Sequence, residues 1–260
     1  MNKNRASVED IQAYWNSRAG LGQWAGSRDV PAKQLEIEAI ASHARDGQRI
    51  LDVGCGNGVT AIELARRFAA DVTGVDYASE MVTMATKLAA GQDLRGKARF
   101  LIGDVTSLAA TPAGPYDLIY TERTLINLAD WKTQKAAIET ITSRLADGGV
   151  YAMCENSQDG LDKLNLFRNR AGLPKIEPPW HNRYLRDEEI DEVALPNVKL
   201  DGCVYYSSTY YFLSRVVNAW EAAQSGKDPD YDAPVNQLAL KLPPIGDFGQ
   251  GRLWLWRKVT

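Results

Sequence analysis

The chain predicts an α/β fold, a parallel sheet doubly wound with helices on both faces, and three observations predict it. Short apolar runs at 49–53, 72–76, 98–102, 117–121 and 150–154 alternate with single helical patterns, the order that returns each strand parallel to the last. The runs are continuous rather than alternating, as in strands covered on both faces. Between the first run and a helical pattern (Thr60, Ala61, Ile62, Leu64, Ala65) stand Gly54, Gly56 and Gly58 with Cys55, Asn57 and Val59, a strand–turn–helix unit of the kind that cradles nucleotides.

In chain order, Ser7 to Ser17 reads as a helix with Ser7 as N-cap and Ile11, Tyr14 and Trp15 on one face. A glycine-rich loop follows, holding Leu21 and Trp24. Asp29 or Val30 opens a longer helix with Pro31 in its first turn and Leu35, Ile37, Ile40 and Ala41 on its apolar side, ending near Gly47. After the first strand, the glycine turn and a helix to about Ala69 come strand 72–76, helix 79–90 and strand 98–102. Strand 117–121, helix 131–145 and strand 150–154 complete the regular part. Residues 155–197, with Pro174, Pro178, Pro179 and Pro196, read as an irregular excursion above the C-terminal edge of the sheet. Beyond it, 198–207 is expected as a strand, 210–223 as an apolar helix, 225–244 as a polar loop and 252–259 as a last strand.

Composition sets bounds. A chain of 260 residues holds one domain with insertions, or a domain and a cap. A net charge of −3 gives no overall field for nucleic acid or an anionic membrane, and the basic groups at 66–67, 168–170 and 257–258 are short enough to be solvated faces. Cys55, Cys154 and Cys203 are scattered, which suggests a reducing compartment. The polar stretch 1–5 lacks the apolar core of a signal peptide, and no run approaches the roughly 20 apolar residues of a membrane span. The expectation is a cytoplasmic protein. No Asp, Glu and His cluster has metal-ligand spacing, so no metal is expected.

The glycine spacing decides among nucleotides. A dinucleotide loop wants its third glycine where this chain has Val59, and the lysine of a phosphate-binding loop is missing. Glycines at 54, 56 and 58 directly after Leu51-Asp52-Val53 resemble the class I S-adenosylmethionine-dependent methyltransferases, and the likeness continues in register over about 48–155. It implies that Asp76 takes both ribose hydroxyls, a task suited to a carboxylate that accepts two bonds at once. It further implies that Tyr77 and Met81 pack on adenine and ribose, and that Asp104 and Val105 meet the adenine ring, with Gly54 and Gly56 beside the donor. The stretch 145–150 matches the turn before the fifth strand. The implied architecture is Rossmann-like, with seven mostly parallel strands and the last antiparallel, for which 254–257 is the candidate. Tyr14, Trp15 and Arg18 resemble the segment that relatives fold over the donor, where the arginine meets the methionine carboxylate and aromatics shield the sulfonium.

Acceptor groups belong beyond the carboxyl ends of the fourth and fifth strands. There Thr121 or Glu122 is expected near the methionine amino group, and Arg123 or Asn127 at the acceptor; the alternative is a Glu122–Arg123 pair that pins the loop. Glu155 and Asn156 are further acceptor candidates, while Cys154 is expected to pack. Of the two histidines, His43 reads as a solvated surface residue. His181, among Trp180, Arg183 and Tyr184, is a candidate base able to take a hydroxyl proton, with a hydrogen-bonded histidine in a proline loop as the alternative. Glu122 is the second candidate catalytic group. Arg183 suggests an anionic acceptor, and Tyr184 stands beside it.

The expectation is thus an N-terminal helical lid over 1–47 and a donor-binding domain over 48–260, with 156–197 as the acceptor-side insertion. Segments 119–128, 153–161 and 179–185 are similar to bacterial methyltransferases of capsule and lipopolysaccharide biosynthesis, which implies O-methylation of a surface-polysaccharide precursor or its phosphate-type decoration. Methylation of a small amine, or donor binding without transfer, are the other readings. Nucleic acid is disfavoured by the charge and by the lack of an Asn/Asp-Pro-Pro-aromatic tetrapeptide at the fourth strand.

Overall fold

The computed structural model describes residues 7–259; the polar N-terminal stretch and Thr260 lie outside the described residues. Seven strands form one sheet: β1 (Arg49–Val53), β2 (Asp71–Asp76), β3 (Lys97–Ile102), β4 (Tyr116–Glu122), β5 (Leu145–Asn156), β6 (Val198–Val204) and β7 (Gly251–Lys258). Their spatial order is β3-β2-β1-β4-β5-β7-β6, and β7 runs antiparallel to both its neighbours. The order reverses between β1 and β4, which opens a crevice at their carboxyl ends.

The continuous apolar strands are explained by burial on two faces. Ile50, Val72, Leu118, Tyr120, Ala152 and Leu253 pack on helices α2 (Val30–Ala41), α3 (Val59–Arg67) and α4 (Ser79–Ala89) through Ile40, Leu64 and Val82. Leu51, Val75, Ile119, Tyr151, Trp254 and Trp256 face the other way, onto Ala137, Ile138 and Ile141 of α5 (Trp131–Thr142). Each such side chain removed from water stabilises the fold by about 1.5–3 kcal/mol. Ahead of the sheet, α1 (Val8–Arg18) begins with a capping box in which Ser7 and Asp10 bond each other's backbone N–H groups, and a short 3-10 turn spans 19–24.

The structure corrects several boundaries. Helix α2 stops at Ala41 rather than near Gly47, because the Ser42 hydroxyl bonds the Ala39 carbonyl and the chain turns. His43, expected on the surface, is half-buried in that turn. Strand β5 is longer at both ends than 150–154. The excursion after it is not irregular throughout: α6 (Gln158–Arg170) is capped by Ser157, whose hydroxyl accepts the Gly160 N–H at 3.1 Å, and buries Leu161, Leu164 and Arg168; α7 (Asp187–Asp191) follows. Arg168, read as solvated, donates to the Pro174 and Arg215 carbonyls instead. After β6, the segment 208–224 is helical but not uniformly so. Between α8 (Ser208–Phe212) and α9 (Ala219–Gln224), residues 213–218 form a π-helical stretch. The expected loop 225–244 contains α10 (Pro234–Ala239). These pieces share a core of their own, in which Tyr210, Tyr211, Val216 and Ala239 meet Leu164 and, from α2, Ala32.

Candidate active site

A cavity of about 620 Å³ opens at the carboxyl ends of the parallel strands, under the N-terminal segment and the excursion. Its first wall is built by the turn after β1 and the end of β2. Asp76 is buried, and its two oxygens accept the backbone N–H groups of Gly56 and Ala78, each at 2.8 Å. Burial raises its pKa and those two donors oppose the rise. Gly56 has φ of 52° and faces open space, a conformation an L side chain resists. Gly58, at φ 75°, fits where a Cβ would stand 2.6 Å from the Phe100 ring and 2.9 Å from Ala85; it gives the close helix–strand packing that dinucleotide loops obtain one residue later. Tyr77, Met81, Asp104 and Val105 continue this wall. One Asp104 oxygen is engaged by Thr106, through its N–H and its hydroxyl at 2.7 Å each.

The second wall is the N-terminal cover. Trp15 and Tyr77 pack around Ala19, Ala25, Ala78 and Met81, and Gln12 donates to the Tyr77 carbonyl at 2.8 Å. Arg18 reaches the Ala25 carbonyl at 2.6 Å and stacks over Tyr14. Asn127 accepts from Trp15 Nε1 and from Asn182, both at 3.2 Å, so the cover, the loop after β4 and the excursion are tied at one side chain. His181 sits within this knot, its ring centroid 4.6 Å from Tyr14 and 5.6 Å from Trp15. Its Nδ1 is buried without a partner, and burial together with Arg18 lowers its pKa.

The third wall is charged. Lys33 and Glu36 of α2 meet Glu122 and Arg123 at the end of β4. Lys33 pairs with Glu122 Oε1, and Thr60 donates to Glu122 Oε2 at 2.5 Å. Arg123, held in a left-handed conformation at φ 55°, brings its Nε to 3.2 Å from Glu36 Oε1. Burial alone would raise the Glu122 pKa, but Lys33, a hydrogen bond from Glu36 and Arg123 outweigh it and hold it at about 2. Glu36 goes the other way, to about 8, chiefly by burial against a partly offsetting Arg123. Asp52 below is also pushed to about 8 by burial, and accepts the Tyr120 hydroxyl at 2.7 Å. Tyr184, Tyr211, Arg215 and Tyr231 close the wall; Arg215 pairs with Asp29, the N-cap of α2.

Residues 50–149 match a family model described as a methyltransferase domain. The chain carries a class I S-adenosylmethionine-dependent methyltransferase domain. The chain is 36% identical over 154 residues to a ubiquinone biosynthesis O-methyltransferase of Psychrobacter cryohalolentis, spanning 57% of this chain and 58% of that relative. Against a trans-aconitate 2-methyltransferase of Delftia acidovorans the identity is 32% over 166 residues, spanning 62% and 56%. The match thus covers less than two thirds of these curated relatives. Among solved structures, the cyclase SpnF superposes with a TM-score of 0.64 at 21% identity, covering 98% of this chain and 97% of its own. That likeness concerns the fold alone.

The methyltransferase domain has a donor site that fits its cofactor by its own chemistry. Each Asp76 oxygen keeps a lone pair beyond the one its backbone donor uses, and Gly56 leaves open space where a side chain would stand. Among the described residues, no group of three or more His, Cys, Asp or Glu side chains is placed to hold a metal ion. Of the residues expected from sequence, Tyr14, Arg18, Gly54, Gly56, Asp76, Tyr77, Met81, Asp104, Val105, Glu122, Arg123, Asn127, Asn156, His181 and Tyr184 line the cavity. Three do not. Thr121 is fully buried with its hydroxyl 3.0 Å from that of Tyr151. Glu155 turns under the loop after β4, accepting the Thr124 and Leu125 N–H groups at 3.0 Å and that of Ile126 at 3.4 Å. Arg183 faces away, bonded to Gln134 at 2.6 Å and paired with Glu189. Glu122 is a poor proton acceptor, since its ionised form is so strongly held.

Sequence reasoning missed Lys33, Glu36, Asp29, Tyr211 and Arg215. The signal for three of them was present: positions 29, 33, 36 and 40 fall on one helical face, so Asp29, Lys33 and Glu36 share the side of the buried Ile40. The cavity lining also extends past the insertion expected at 156–197, because Tyr211, Tyr231 and Gln250 lie between β6 and β7.

Proposed function

We propose that the protein is a methyltransferase that moves the methyl group of S-adenosylmethionine to an oxygen of a small polar acceptor. Asp76 carries this reading: a buried carboxylate fixed by two backbone donors and still able to accept two hydroxyls. The domain match and an O-methyltransferase among the relatives support it. In this proposal Gly54 and Gly56 lie along the donor, Asp104 and Val105 meet the adenine, Tyr77 and Met81 pack on it, and Tyr14 and Arg18 cover the methionine end. When bound, the donor supplies an already activated methyl group, so the protein contributes alignment and exclusion of water.

His181 is the proposed proton acceptor for the acceptor hydroxyl. Its imidazole is kept neutral by burial and Arg18, and Nδ1 has no competing partner. Glu122 is assigned to the methionine amino group rather than to proton transfer, and Arg123, Asn156 and Tyr184 to the acceptor. A sugar or phosphate-type precursor of a surface polysaccharide remains the acceptor suggested by segments 119–128, 153–161 and 179–185; the amide groups of Asn156, Asn182 and Gln250 in the cavity wall support a polar one.

Calorimetry with S-adenosylmethionine tests the donor site. A charge-assisted hydrogen bond contributes about 1.5–3 kcal/mol, so Asp76→Ala should bind about 100-fold more weakly or not at all. Asp76→Asn, which keeps one oxygen for a backbone N–H, controls for folding. Affinity equal to wild type in Asp76→Ala sinks the assignment. His181→Asn should depress turnover more than donor affinity; an unchanged rate removes His181 and favours an amine acceptor.

A further inference from the structure

The charged wall holds more cations than ionised carboxylates. Glu36 and Glu122 are packed together with only 4% and 6% of their side chains exposed, and both face Arg123, at 3.2 and 3.9 Å. Glu36 Oε2 meets no N–H or O–H donor. Two buried carboxylates in contact do not both ionise; one keeps a proton and donates it to the other. Glu122, whose oxygens already take Lys33 and Thr60, is the ionised member. On this wall Lys33 pairs with Glu122 and Arg215 with Asp29, so Arg123 is the cation whose carboxyl partner, Glu36, keeps its proton. Tyr184, Tyr211 and Tyr231 flank it with flat, largely apolar surface.

We propose that this part of the cavity receives the carboxylate of a small organic acid, which pairs with Lys33 and Arg123. This rests on the methyltransferase reading and narrows its acceptor, moving the anionic group from Arg183, which faces elsewhere, to α2 and the end of β4. One excess charge matches a monoanion rather than a doubly charged phosphate. The proton on Glu36 is part of the site: it is lost as the pH rises past about 8, and the new carboxylate cancels the excess charge. Groups around Glu36 come from every neighbouring element: Lys33 from its own helix, Glu122 and Arg123 from β4, Cys154 from β5, and Tyr206 and Tyr211 from the segment after β6. The cysteine and both tyrosines are raised by burial and stay neutral over this range.

The test is calorimetry of the full chain with benzoate, its neutral analogue benzamide and inorganic phosphate, in the presence of S-adenosylhomocysteine. Benzoate is expected to bind about tenfold or more tightly than benzamide at pH 7. Its affinity should then fall towards that of benzamide as the pH rises past about 8. Glu36→Gln, neutral at all pH, should keep the pH 7 affinity and lose the pH dependence; Lys33→Gln should weaken benzoate at every pH and leave benzamide unchanged. Equal binding of benzoate and benzamide, a pH profile unaltered in Glu36→Gln, or preference for phosphate overturns the proposal. S-adenosylhomocysteine binding without benzoate binding rejects this inference alone, whereas benzoate binding without S-adenosylhomocysteine binding rejects the methyltransferase reading.

Discussion

Glu155 illustrates how a polar side chain at a strand end can be claimed by the backbone before any ligand. Three successive N–H groups at the start of the 3-10 turn 125–127 point at it, and a carboxylate satisfies them where a solvent-free pocket otherwise leaves them orphaned. Burial nevertheless pushes it up to about 7, with those N–H groups opposing. Because the folded value exceeds the unfolded one, its contribution to stability is complete below about 4.5 and lost as the pH rises through about 7. The difference in urea unfolding free energy between wild type and Glu155→Gln should therefore shift by on the order of 3 kcal/mol between pH 4.5 and 8; a constant difference contradicts the assigned environment. The sequence revealed that 121–123 and 155–156 gather at the crevice. It did not reveal which side chains turn into the cavity, since that depends on partners such as Tyr151, Gln134 and Glu189 that lie far away in the chain.

At the scale of elements, the glycine turn separates two costs that its spacing alone merges. Ala at 56 meets only the backbone penalty of a left-handed residue, about 1–2 kcal/mol. Ala at 58 adds overlap with Phe100 and Ala85 on top of the same penalty, for a total of about 2–4 kcal/mol. Gly58→Ala should thus lower the urea midpoint more than Gly56→Ala, and the reverse order would refute the packing role. Strands β1 to β4 were legible within a residue because burial on two faces writes them as apolar runs. Helix α6 was overlooked although Leu161, Leu164 and Phe167 recur every third residue, because charged residues between them and the prolines that follow look like loop. The π-helical stretch 213–218 leaves no compositional trace, as its widened turn answers to Tyr210, Arg215 and Asp29 meeting across the cap.

Across the whole molecule, the cover over the donor wall is fastened by one small apolar cluster and by separate hydrogen bonds: Trp15 to Asn127, Gln12 to Tyr77, Glu80 N–H to Asn16, and Asn57 to the Gly22 carbonyl. Such a unit opens at less cost than the sheet. Trp15→Ala should speed amide hydrogen exchange over residues 8–25 and weaken S-adenosylmethionine binding, with strands β1 to β5 unaffected; uniform acceleration everywhere would instead make the cover part of the global fold. The architecture from β1 to β5 was readable because it is local, whereas the charged wall is assembled from α2, β4 and the chain between β6 and β7, and no short window of sequence contains it. In the π-helical stretch each turn closes one residue later than in an α-helix, so Arg215 and Val216 stand at a different angle about the axis from the one that a continued α8 would give them. The widened turn thus sets the angle at which Arg215 meets Asp29, the N-cap of α2, while the sheet and the glycine turn stand apart from it.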